Sequence, residues 1–103
     1  MPDIFHITTR EAWEQALSKG FYEAESLHSE GFIHCSTDQQ VEGVLRRYFS
    51  GKKDLVKLVI DTTKLKSPLH YELAPSVNEE FPHIYGPLEV DAVKEVRPIA
   101  NSH

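Results

Sequence analysis

Hydrophobic positions recur in two rhythms along the chain, one set by helices and one by strands. Ile4-Phe5-His6-Ile7-Thr8 is a short β-prone run, and Thr8 with Glu11 fits a capping box at the helix start that follows. Ala12, Trp13, Ala16 and Leu17 share one face of that helix, with Trp13 as the expected core anchor and Gly20 as the left-handed stop. The polar stretch 21–30 reads as a loop, long enough to serve a ligand rather than only to connect. Gly31-Phe32-Ile33-His34-Cys35 is a second strand. Ser36, Thr37 and Asp38 compete to cap the next helix, with Gln39 and Gln40 placed to return the bond. Val41, Val44, Leu45, Tyr48 and Phe49 then follow a helical spacing, and Gly51 closes the segment.

The second half is β in character. Leu55 to Ile60 is nearly apolar on both faces and predicts a central strand. Asp61-Thr62-Thr63 is a turn, and Leu69-His70-Tyr71-Glu72-Leu73 alternates, with His70 and Glu72 opposite the three apolar side chains. Prolines and paired glutamates mark 74–82 as a loop, and apolar character resumes over 81–88. A last strand is expected near Val93 to Ile99, where Pro98 suits an edge. The order βαβα followed by several strands predicts an α+β fold. Residues 1–103 are expected to form a single small domain, two helices packed on a twisted, mostly antiparallel sheet.

Composition narrows the classes. A chain of 103 residues supports one core, and 40% hydrophobic with 26% charged residues is globular rather than disordered. Eleven basic against 16 acidic residues leave a net charge of −5, which disfavours phosphate backbones, so nucleic acid and anionic membranes are poor expected partners. Arg46, Arg47, Lys52 and Lys53 complement the dipole at the end of the second helix and read as a solvated helix end before a phosphate patch. The single cysteine, Cys35, allows no internal disulfide, and alternation turns it away from His34, so the two are not a catalytic pair. Met1-Pro2-Asp3 has no basic or apolar leader character and no stretch can span a bilayer, so a reduced cytoplasmic setting is expected.

Six histidines are the candidates for chemistry near neutral pH. His28 and His103 lie in a loop and at the terminus. His6, His34 and His83 each sit in a strand-like run beside isoleucine, and alternation turns each away from its apolar neighbours. If those faces meet at a cleft, three imidazoles line one pocket; otherwise they are separate half-exposed strand histidines. Glu72 needs a partner in its apolar surroundings, and His70, two residues away on the same face, is the expected one. Together they form either a proton-transfer pair or a surface pair. Tyr85 either stacks on a flat ligand or fills core. No spacing typical of zinc ligands occurs, and no nucleophile-elbow, dinucleotide or P-loop motif is present.

The strings Ile4-Phe5-His6-Ile7-Thr8, Trp13 with Ala16, Gly20, and Glu30-Gly31-Phe32-Ile33-His34-Cys35-Ser36 with Gln40 closely resemble the bacterial family called domain of unknown function 952. Tyr71-Glu72 and Phe81-Pro82-His83-Ile84-Tyr85-Gly86-Pro87-Leu88 resemble its carboxyl-terminal signatures, so the likeness spans essentially the whole chain. More distantly, the order of elements resembles the ADP-ribosyltransferase fold, with His6 similar to its first motif position, His34 to its second, and Glu72 or His83 to its third. With His83 in third place the set is similar to the RNA 2′-phosphotransferase branch, which lacks the usual glutamate. This resemblance implies NAD as substrate, catalytic roles for His6, His34, His83 and Glu72, and ligand contacts from His6, Tyr22, Ser36 and Tyr85. Tyr22 or Tyr85 would stack on the nicotinamide, and segment 21–30 would close over it. Cleaving a nicotinamide–ribose bond builds oxocarbenium character, which calls for positioning and polar contacts more than for a nucleophile. The expected function is therefore an NAD- or nucleotide-binding enzyme acting at a histidine-lined cleft. The alternatives are a non-catalytic module binding a small molecule or partner, and a metal-dependent hydrolase with histidine ligands, although no metal-ligating residue is assigned.

Overall fold

The computed structural model describes residues 2–103; Met1, where the reading of the amino terminus begins, lies outside them. In chain order the elements are β1 (Ile4–Thr9), α1 (Arg10–Lys19), β2 (Phe21–Tyr22), α2 (Glu25–Ser29), β3 (Ile33–His34) and α3 (Val41–Tyr48). They continue with β4 (Leu55–Ile60), β5 (Leu69–Ala74), β6 (Glu79–Ile84), β7 (Leu88–Glu89) and β8 (Val93–Pro98), with 3₁₀ turns at Asp38–Gln40, Thr62–Lys64 and Val90–Ala92. The strands form three antiparallel sheets, ordered β1-β4-β8, β2-β7 and β3-β6-β5. This is a small α+β domain with mostly antiparallel sheets, and no helix among the described residues is long and apolar enough to cross a membrane.

β4 is central because Leu55, Val56, Leu58 and Ile60 leave almost no surface in water. Burying a side chain of this size stabilises a fold by about 1.5–3 kcal/mol, so this one strand anchors both neighbours. Its lower face joins Ile4, Trp13, Ile33, Ile84 and Leu88 in the main core, while Ile7, Val41, Leu45 and Leu55 form a smaller cluster beneath α3. Pro98 ends the edge strand β8, where its missing N–H costs no ladder bond.

Several local expectations need correcting. Thr9, not Thr8, caps α1: its hydroxyl accepts from the Ala12 amide, and the Thr8 side chain is buried instead. Leu17 does not join Trp13 in the core and is 53% exposed. Thr37 wins the second capping contest, with Gln40 returning the bond to its amide, although a 3₁₀ turn precedes the helix proper. The stretch 21–30 is no open loop, since β2 pins its start to β7 and α2 fills its middle, which raises the helix count to three. The stretch 74–82 is not a loop either. It is a β-hairpin turning at 75–78, where Asn78 takes the left-handed backbone (φ 54°) that asparagine tolerates. Tyr71 and Leu73, on the face opposite His70 and Glu72, are 45% and 56% exposed, and β5 is the edge of its sheet.

The two larger sheets meet through one strand. Residues 33–34 pair with β6, the Cys35 amide donates to the Pro82 carbonyl (3.0 Å), and Ser36 then bridges to Phe5 of β1. Where this segment crosses from β6 to β1, a cleft lies between it and α3, lined by His34, Ser36, Val44 and Tyr48 among others.

Candidate functional site

Cross-strand register brings the site together. His34 lies opposite His83, and His83 lies opposite His70, so three imidazoles stand abreast on one face of the β3-β6-β5 sheet. Two residues along, Glu72 pairs with Phe81, which places both on that same face. The opposite face carries Ile33, Cys35, Pro82 and Ile84, all buried. Alternation therefore sorts the sheet into an apolar side facing the core and a polar, aromatic side facing out.

On the outer side the partners differ from those expected. Glu72 does not pair with His70. Its Oε1 accepts from His83 Nδ1 at 2.6 Å and also from the Tyr85 hydroxyl. Those two bonds hold the Glu72 carboxyl below its ordinary range, the Tyr85 bond being the larger cause, and the same contact pushes the Tyr85 phenol up. Phe32 stacks on the His83 ring (centroids 4.1 Å, 17°) and meets the His34 ring edge-on at 4.8 Å. The His34 and His83 rings lie 5.3 Å apart, and His34 Nε2 is bonded to Glu30 Oε2 at 3.0 Å. Each of the two imidazoles thus has one nitrogen tied to its own carboxylate and, among the described residues, no partner for the other.

His6 approaches the same cleft from the buried side. Its Nδ1 meets the His34 carbonyl at 2.5 Å, and its Nε2 meets the Tyr22 hydroxyl at 2.8 Å. A carbonyl only accepts, so Nδ1 carries the proton and Nε2 accepts from Tyr22 in the neutral ring. The Tyr22 oxygen lies 3.0 Å from Thr8 Oγ1, which extends the chain to a third buried group. Burial lowers the His6 pKa from 6.5 to about 4, so the ring is neutral at physiological pH, and burial likewise raises the Tyr22 phenol. Cys35, a buried core residue that also borders the cleft cavity, has its thiol pushed far up by the same cause.

A cavity of about 490 Å³ occupies the cleft. One wall is polar, from His6, His34, Ser36 and His83, and the other is apolar, from Val44, Tyr48 and Phe49 of the α3 region with Leu73 and Phe81 of the hairpin. That volume and mixture suit a small organic ligand with one flat or apolar part and a few polar groups.

A family model described as protein of unknown function (DUF952) matches residues 7–96. The chain belongs to the DUF952 family. Among solved structures, the crystal structure of protein CC0527 from Caulobacter crescentus superposes on this DUF952 chain with a TM-score of 0.85 at 29% identity, covering 96% of this chain and 90% of that one. The solution structure of CC0527 gives a TM-score of 0.79 at 31% identity, covering 93% and 83% of the two chains. A stretch of 79 residues, 77% of the chain, is 28% identical to part of the 5'-3' exoribonuclease 2 of Candida albicans, and the match spans 7% of that protein's length.

In this DUF952 chain, His6, His34, Ser36 and His83 reach one cavity. Tyr22 stands behind His6 in the core, and Glu72 and Tyr85 support His83 without lining the cavity wall. Glu30 and Phe32 were absent from the sequence-predicted site. The Glu30–His34 spacing and the aromatic residue two before His34 were both visible in the chain, but only the fold bonds Glu30 to His34 and stacks Phe32 on His83. Among the described residues, no group of three or more His, Cys, Asp or Glu side chains is arranged to hold a metal ion. His6 in particular has both ring nitrogens engaged.

Proposed function

We propose that this DUF952 protein is an enzyme that binds a nucleotide in the cavity beneath α3, with NAD as the ligand that the resemblance to ADP-ribosyltransferases selects. The observation that carries this reading is the Glu72–His83 bond at the cavity wall. A carboxylate on Nδ1 fixes the imidazole tautomer and leaves Nε2 as the nitrogen available to a ligand hydroxyl, the arrangement general acid–base catalysis requires. Phe32 against the ring face and Tyr85 on the carboxylate restrict how either partner can turn. The apolar wall gives a planar base or nicotinamide a surface to lie on, while His34, Ser36 and His83 supply polar contacts for a ribose.

Calorimetric titration with NAD, AMP and nicotinamide riboside tests the reading. Binding that weakens by about 100-fold or more in His83→Ala, without loss of fold, is expected if the residue touches the ligand. Failure of all three compounds to bind the wild-type protein would overturn it. A second reading, a non-catalytic binding module, has its own support in the exposure of two cavity-lining apolar residues, Tyr48 (58%) and Leu73 (56%). Tight NAD binding with no release of nicotinamide over hours would favour that module.

A further inference from the structure

We infer that His34 and His83 act together as a general acid–base pair that opens a nucleoside 2′,3′-cyclic phosphate. The inference rests on the cavity taking a nucleotide, and it assigns the substrate class and the reaction. Departure of nicotinamide needs no proton, because the base leaves neutral, so a second poised imidazole has no task in that chemistry. A leaving oxygen does need a proton, and a water nucleophile must lose one. Two imidazoles on one wall, each with a free nitrogen, match that pair of demands.

The surroundings narrow the reaction further. Cys35 and Ser36 border the cavity but are only 3% and 5% exposed, the thiol is turned to the Ile33 carbonyl, and among the described residues no base is bonded to either, so the attacking group is water. The counter-charge for phosphate comes from the protonated imidazole itself. A strained five-membered cyclic phosphate needs less activation than a linear diester. A single nucleotide also fits about 490 Å³, whereas a long strand would meet a chain of net charge −5.

The two environments divide the roles. The His83 side chain is only 13% exposed and its Nδ1–H is fixed on Glu72, so its Nε2 is the base that removes a proton from water. The His34 side chain is 51% exposed and open to solvent, so it takes the role of the acid that protonates the departing ribose oxygen. Water oxygen bonds to phosphorus as one phosphorus–ribose oxygen bond breaks. One proton passes to His83 and one leaves His34, giving a nucleoside monophosphate with one water consumed and no redox change.

The test uses adenosine and uridine 2′,3′-cyclic phosphates with the full chain, following the monoester by ³¹P NMR. Turnover by the wild type is expected, with losses of about 100-fold or more in both His34→Gln and His83→Gln. A uridine 3′-(4-nitrophenyl) phosphodiester, whose leaving group departs without a proton, separates the roles. The nucleophile in that diester is its own 2′-hydroxyl, so His34, which protonates this oxygen in ring opening, deprotonates it here. Cleavage should fall about 100-fold in His34→Gln and stay within about 10-fold of wild type in His83→Gln. Unchanged circular dichroism and melting certify both variants. Absence of cyclic phosphate hydrolysis by a wild-type protein that binds NAD overturns this inference and leaves the nucleotide reading standing. Hydrolysis without NAD binding does the reverse for NAD, and turnover unaltered by both substitutions removes the histidine pair from the chemistry.

Discussion

His6 and His83 border the same cavity and are held in opposite ways. His6 sits at 7% exposure with both nitrogens bonded inside the protein, to a carbonyl and a phenol that are themselves fixed. His83 lines the cavity with one nitrogen on a carboxylate, an aromatic ring against its face, and no partner among the described residues for its other nitrogen. The first ring is a joint between β1 and β3 that works only while neutral. The second is a reagent held at one end. An imidazole at a site wall is therefore not by itself a catalyst; what separates the two roles is whether a nitrogen remains unspent.

Stability measurements can break this contrast. His6→Ala leaves the Tyr22 hydroxyl and the His34 carbonyl without their partner in the core and should cost about 3–4 kcal/mol in urea unfolding. His83→Ala, on the outer face, should cost less than about 1 kcal/mol. Equal losses in the two variants would erase the distinction between joint and reagent.

The pH dependence of stability sharpens it. The folded pKa of His6 is lowered from 6.5 to about 4, so between these values the unfolded chain binds the proton and the folded one does not. Stability from this group is complete above 6.5 and falls as the pH drops toward 4, by on the order of 3 kcal/mol in total. In His6→Gln the slope across this window should flatten. The lowered Glu72 carboxyl adds a loss in the same direction, beginning only below its ordinary 4.5. A smaller effect comes from Tyr22→Phe, which removes one bond to His6 and one to Thr8 and should cost about 1 kcal/mol without altering any ligand affinity. A Tyr22→Phe protein with normal stability and weakened ligand binding would move Tyr22 from the frame into the site.

How much of this was legible in the chain depended on how far apart the interacting residues lie in sequence. The central strand 55–60, the Trp13 anchor and a cap among Ser36, Thr37 and Asp38 were visible because local spacing alone produces them, while the structure picks Thr37 with Gln40. The choice of Thr9 over Thr8 was not, because Thr8 is claimed by Tyr22, a tertiary partner fourteen residues on. Glu72 was assigned to His70 by strand alternation, whereas its partner sits across the hairpin. Reading Pro75-Ser76-Val77-Asn78 as a turn would have set Glu72 opposite Phe81 and diagonal to His83. Paired glutamates and a proline in β6 hid that register, since Pro82 occupies a central strand where proline is rare. The burial of His6 was likewise beyond local reasoning: alternation gives a side chain's direction, but only the packed sheets decide which direction is inside.

The enclosure of Cys35 has a practical consequence. Its thiol is 3% exposed with its ionisation suppressed, and its amide is tied to Pro82 where the crossing segment leaves β6. A thiol buried this far and held un-ionised reacts slowly with alkylating reagents until the packing around it at the cavity floor opens. The labelling rate of a single native cysteine is thus a clock for the opening of the cleft's floor. A ligand seated in the cavity should slow that clock in proportion to its occupancy, giving a binding assay that needs no knowledge of the reaction.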